Sequence, residues 1–91
     1  MAHTVRDKKK LLNRVKRIAG QIDALTQALE GEHECGEVLR LIASTRGAMN
    51  GLMAEVLEGH LRAHAFSKTV PGSKDAEAAE DVIDVVRAYL K

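Results

Sequence analysis

Ninety-one residues make one small domain at most, because so short a chain buries too little surface to divide into two cores. A composition of 45% apolar and 30% charged residues excludes a disordered chain. No apolar stretch approaches the roughly 18 residues of a membrane span or the core of a signal peptide, so no membrane partner is expected and the cytoplasm is the expected compartment. The single Cys35 excludes an internal disulfide. With one Phe, one Tyr and no Trp, the core must come from Leu, Ile, Val, Ala and Met. Such a core is thin, and a copy of the same chain is expected to complete it.

The net charge of +1 hides a segregation. Residues 1 to 20 carry Arg6, Lys8, Lys9, Lys10, Arg14, Lys16 and Arg17 against Asp7 alone, a balance of +6 that leaves −5 for the remainder. A basic segment on an otherwise acidic chain suits a polyanion, although a solvated helix face carries such charges equally well.

In chain order, Leu11, Val15, Ile18, Ile22, Leu25 and Leu29 are spaced 4, 3, 4, 3, 4, the stripe of an amphipathic helix. Thr4 followed by Asp7 offers a weak capping box, and Gly31 suits the C-terminal cap, so this helix is expected over about residues 5–30. A second, long helix begins near Glu34, with Val38, Leu39, Ile42, Met49, Leu52, Met53, Val56, Leu57 and Leu61 on one side. Gly47, Ala48 and Gly51 allow close helix approach at its centre; tolerated glycines are the alternative. Pro71 and Gly72 break the chain, Ser73 caps a third helix, and Val82, Ile83, Val86, Tyr89 and Leu90 give it an apolar side. The pattern predicts an all-α domain over residues 1–91, a three-helix protomer whose first two helices form an antiparallel hairpin.

His60 and His64 are four apart on one helix face and can chelate one ion. Cys35 is a third candidate ligand, with a buried structural cysteine as the alternative. It precedes the histidines by 25 to 29 residues, roughly 40 Å along a continuous helix, so one chain cannot bring them together. Two antiparallel copies of the long helix can, with the crossing near residues 48 and 49, inside the small-residue zone. The hairpin register independently sets residue 3 beside residue 61 and brings His3 to His60 and His64. His33, in the turn, is assigned to solvent. Three imidazoles and one thiolate suit Ni(II) or Co(II), fit Zn(II), and are poor for Cu(I). Ligation of His3 would order the arm leading into the basic segment and supply a switch. No general base stands beside this cluster, so an enzyme is not expected.

The segments DKKKLLNRVKRIAGQIDAL, ECGEVLRLIASTRGAMNGLMAEVLEGHLRAH and VRAYLK resemble the CsoR/RcnR/FrmR family of bacterial transcriptional repressors over nearly the whole chain. The resemblance implies an antiparallel helical dimer, a dimer of dimers, double-stranded operator DNA as partner, and release of that DNA on effector binding. It also separates the effectors. The copper branch has Cys where this chain has His64. The nickel/cobalt branch matches at His3, Cys35, His60 and His64, which implies a repressor of a metal efflux gene. The formaldehyde branch uses a Cys matching Cys35 and an N-terminal proline where this chain has Ala2. It shares the VRAYLK ending, and the Ala2 amine with the Cys35 thiolate is the alternative effector site. Charge and resemblance together assign DNA contact to Lys8, Lys9, Lys10, Arg14, Lys16, Arg17 and Arg46. The lack of interleaved aromatics disfavours single-stranded nucleic acid.

Overall fold

The computed structural model describes residues 3–65 and 68–90. The fold is all-α, with no strand among the described residues: α1 (His3–Arg6), α2 (Lys8–Glu30), α3 (Cys35–His60) continued by a π-helical turn (Leu61–Ala65), and α4 (Lys74–Leu90). The expected first helix is therefore split at Asp7. Asp7 sits at φ −96°, ψ 16° and makes no capping hydrogen bond through its side chain; its carboxylate lies 3.5 Å from Arg6 Nε. The Thr4–Asp7 capping box does not form, because Thr4 lies inside α1 instead of ahead of the helix.

The turn between α2 and α3 is closed by backbone groups. Gly31 N–H donates to Gln27 O, Glu32 N–H to Leu29 O, and His33 N–H to Ala28 O, the paired bonds of a Schellman motif. The left-handed residue in it is Glu32, at φ 56°, while Gly31 keeps φ −82°. Position 31 is crowded for a different reason: a Cβ there would lie 3.0 Å from the His33 ring and 3.2 Å from Gln27 O. Before α4, Pro71 and Gly72 (φ 79°) form a turn in which Ser73 N–H donates to Val70 O, with Pro and Gly where a type II turn favours them. Ser73 Oγ then accepts from Ala76 N–H at 3.1 Å, the expected helix cap.

α2 and α3 pack as an antiparallel hairpin and α4 returns along α3. The body measures 56 × 25 × 13 Å. Its buried apolar residues are Ile18, Ala28, Ala54, Ala79 and Ile83, and only Ile83 among them is large and fully enclosed. The α2 stripe is divided: Leu11, Ile18 and Leu25 turn toward cover, while Val15, Ile22 and Leu29 remain exposed. On α3, Leu39, Ile42, Met49 and Met53 are exposed as well. A monomer rarely leaves this much apolar surface open.

Candidate functional site

The hairpin register decides which candidate residues can meet. Gln21 Nε2 donates to Ser44 Oγ, a Cβ at Gly51 would lie 3.5 Å from Arg14 Nη1, and Lys10 Nζ is 2.9 Å from Glu55 Oε1. These pairs are symmetric about the turn at residues 32 and 33. Continued to the end of the hairpin, the same register sets residue 4 opposite residue 61. Thr4 does line an open apolar concavity of about 770 Å³ with Met49, Leu52, Met53, Val56, Leu57, His60 and His64.

His60 is the last residue of α3 and His64 lies in the π-helical turn that follows. Their ring centroids are 4.8 Å apart, tilted by 43°, and both side chains are exposed. This is the paired arrangement that four-residue spacing predicts. The wide turn that carries His64 was not legible in the residue pattern.

Cys35 is the exposed first residue of α3. Because α3 runs unbroken from Cys35 to His60, the thiol lies roughly 38 Å along the helix from the histidine pair at 1.5 Å per residue. One chain does not bring them together, and among the described residues no three His, Cys, Asp or Glu side chains gather around one point. The backbone of His3 opens α1 beside Thr4, but its side chain, like all of Ala2, lies outside the described residues. His33 is exposed, with Nδ1 3.1 Å from Glu37 Oε2 across one turn.

The basic residues occupy a broad band on α2. Lys8, Lys9 and Lys16 line one shallow concavity with Val5 and Leu12, and Arg14 and Arg17 line another with Gln21 and Ala48. Lys8, Lys9, Lys10, Lys16, Arg17 and, on α3, Arg46 are exposed. Arg14 is half-buried, because its guanidinium turns inward over α3.

Ion pairs that residue pattern alone does not mark run across the three long helices. Glu55 faces both Lys10 and Arg14. Glu58 contacts Arg62 at 3.3 Å and also Arg87, and Arg62 Nη1 donates to Glu80 Oε1 at 2.7 Å. The hydrogen bond to Glu55 and its charge raise the Lys10 pKa above the ordinary 10.5. The hydrogen bond from Arg62, with the charges of Arg62 and Arg87, holds the Glu80 carboxyl below the ordinary 4.5, and the hydrogen bond to Glu80 pushes the Arg62 guanidinium upward. The hairpin register that places residue 3 near residue 61 also places residue 10 near residue 55, so the first of these pairs could have been found from the sequence.

A thin helical hairpin with a basic face and a histidine pair beside an apolar groove outlines a small regulator that binds DNA, and the likeness to known proteins carries the same class. Residues 7–88 match the metal-sensitive transcriptional repressor family. The chain therefore belongs to the CsoR/RcnR family of transcriptional repressors, which are not enzymes. It is 50% identical to an uncharacterized protein in the bioA 5′ region of Serratia marcescens, over the whole of both chains. It is also 46% identical to the transcriptional repressor RcnR of Salmonella paratyphi B, again over the whole of both. Among solved structures, a glutamate-to-histidine variant of the formaldehyde-responsive regulator FrmR from Salmonella enterica serovar Typhimurium superposes with a TM-score of 0.64. It is 42% identical, with 92% of this chain and 94% of that one covered. No helix among the described residues is long and apolar enough to cross a membrane.

Proposed function

We propose that the protein is a Ni(II)- or Co(II)-responsive repressor that holds double-stranded operator DNA until the metal binds, and so controls a metal efflux gene. The observation that carries this reading is the placement of Cys35 and His60 at opposite ends of one unbroken helix, with His64 paired to His60 at 4.8 Å. A shared site then needs two antiparallel copies, each giving Cys35 to the other's His60 and His64. His3 joins from the arm next to Thr4. Met49 and Met53, exposed between the two ends of α3, supply apolar surface for that pairing, and a dimer of dimers presents the basic bands of α2 together. The donor set fits either metal, with Zn(II) as a further fit. Bound metal would supply ligation energy that ties the N-terminal arm to α3, and so would change how Lys8, Lys9, Lys10, Arg14, Lys16 and Arg17 are displayed, with Arg46 alongside. RcnR, the 46% identical relative, supports this choice.

The test is operator affinity with and without stoichiometric Ni(II) or Co(II). The expected result is weaker binding with at least one metal, and unchanged affinity with both sinks the reading. Cys35→Ala should abolish the response while leaving DNA binding largely intact. His64→Leu should impair the metal response.

A second reading is supported by the 42% identical formaldehyde-responsive neighbour and by the exposure of the Cys35 thiol. Formaldehyde would join the Ala2 amine, freed by loss of Met1, to the Cys35 sulfur through one methylene with loss of water. The discriminating observation is a mass gain of one carbon on a peptide pair linking the N-terminus to Cys35, together with DNA release. His64→Leu should spare that response.

A further inference from the structure

Glu55 stands where it can set the strength of DNA binding. Its side chain is only 18% exposed and sits between Lys10 Nζ, 2.9 Å from Oε1, and Arg14 Nε, which meets Oε2. Oε2 is buried, and the Arg14 guanidinium is the cation that faces it. One carboxylate thus engages cations on two consecutive turns of α2, and the Arg14 guanidinium lies inward over Gly51. Among the described residues no carboxylate pairs with Lys8, Lys9, Lys16 or Arg17 in this way. Glu58, the next acidic residue on α3, is engaged by Arg62 and Arg87 instead.

Resting on the reading that Lys10 and Arg14 contact operator phosphates, we propose that Glu55 is an internal competitor for them: it occupies both cations in the DNA-free protein and lowers operator affinity. A carboxylate and a phosphodiester are both monoanions that offer two oxygens to a cation. A phosphate that takes Lys10 or Arg14 must displace Glu55, leaving a half-buried carboxylate without its counter-charge and close to the DNA backbone. Both consequences oppose binding. Lys8, Lys9, Lys16 and Arg17 carry no such cost, so they provide the standing attraction while Lys10 and Arg14 form a restrained reserve.

The experiment is operator binding by fluorescence anisotropy over a series of salt concentrations, with effector-free native protein, Glu55→Gln, and Lys10→Ala and Arg14→Ala each made in the native and in the Glu55→Gln background. Glu55→Gln should bind about threefold tighter or more, as expected when a partly buried ion pair stops competing. Its plot of log affinity against log salt should steepen by up to about 0.9 for each cation freed to meet a phosphate. Lys10→Ala and Arg14→Ala should cost more in the Glu55→Gln background than in the native one. Unchanged or weaker binding by Glu55→Gln overturns the proposal, as does a smaller cost of the alanine variants in that background, which would make Glu55 a positioning group for the cations. If both alanine variants are neutral in both backgrounds, the assignment of Lys10 and Arg14 to DNA has failed first. Far-UV circular dichroism melts verify that Glu55→Gln is folded. If it is not, the Arg14 Nε–H resonance of native protein, titrated with operator duplex, carries the test: it should shift as phosphate replaces carboxylate, and an unmoved resonance overturns the proposal.

Discussion

The two long faces of α3 are built on opposite terms. One face carries Glu55 and Glu58, and every charge there meets a counter-charge in the same chain: Lys10 and Arg14 from α2, Arg62 from the π-helical turn, Arg87 from α4. Buried Ala54, and Ala79 and Ile83 of α4, give the hairpin and α4 their small apolar seam. The other face carries Leu39, Ile42, Met49 and Met53, all exposed, and ends at His60 and His64 beside an open concavity. The first face is complete within one protomer. The second presents a row of exposed apolar side chains leading to the His60–His64 pair, and no element among the described residues covers that row. Under the proposed pairing the candidate effector site and the missing part of the core become one problem, since a second copy laid antiparallel on this face would supply both apolar cover and Cys35.

The largest expected effect comes from breaking the uncovered face. Met53→Glu places a charge in the middle of the proposed seam, where burial without a partner is costly, and should weaken self-association by roughly a hundredfold or more. Sedimentation velocity over a dilution series measures this. Because Met53 is 56% exposed in the single chain, the same substitution should leave the helix content of a protomer almost unchanged. An unaltered sedimentation profile would show that α3 does not pair through this face. Next in size is Ile83→Ala on the completed face. Ile83 is fully enclosed, so its truncation should cost about 2–5 kcal/mol of stability by urea unfolding, close to the whole margin of so small a domain. A smaller loss would mean that α4 collapses onto α3 readily and that the self-sufficient face is less tightly packed than it looks.

How much of this could be read from residues alone follows the same division. Helical periodicity carried α2, α3 and α4, because one amphipathic stripe and its breakers are local properties of the chain. Ser73, Pro71 and Gly72 were legible for the same reason: a cap or a tight turn is decided by a few neighbouring backbone angles. Cys35 and the His60–His64 pair stood out by residue type, and helix rise alone placed them at opposite ends. The ion pairs of Glu55 and Glu58 escaped notice because acidic residues on a helix surface are ordinary, and only the hairpin register reveals which cation each one meets. The left-handed position is equally hard to read from residue type. Gly31 is the C-cap that its place at the end of the stripe suggests, yet the left-handed residue of the turn is Glu32, and a Cβ at 31 would press on the His33 ring.

The left-handed Glu32 gives a control that touches neither face of α3. Glu32 holds φ 56° with a side chain attached, a conformation that favours glycine. Glu32→Gly relieves the strain but adds freedom to the unfolded chain, and the net expectation is a gain of about 0.5 kcal/mol, read by thermal melting. Operator affinity and self-association should not change. If either moves, the turn is coupled to one of the two faces, and the separation drawn between them is too sharp.

The smallest effect belongs to the outer ring of the ion-paired face. Glu80 is exposed, and its carboxyl is held below 4.5 first by the hydrogen bond from Arg62 and then by the charges of Arg62 and Arg87. A carboxyl whose folded pKa is depressed stabilises the fold at pH values above its unfolded pKa and loses that contribution as pH falls through the folded one. The contribution of Glu80 should therefore be fully present at neutral pH and be lost as pH falls below 4.5 and through the lowered folded value. Lys10 carries the opposite sign. Its pKa is raised above 10.5 by Glu55, so its contribution is present below pH 10.5 and is lost only as pH rises beyond it. Melting temperatures of native protein and Glu80→Gln should differ slightly at about pH 7 in low salt, converge as pH approaches about 3, and converge again in high salt, because an exposed pair is screened. A difference that persists at the acid end or in high salt would show that Glu80 holds α4 by packing instead of by charge. The self-sufficient face would then owe its stability to its apolar seam alone.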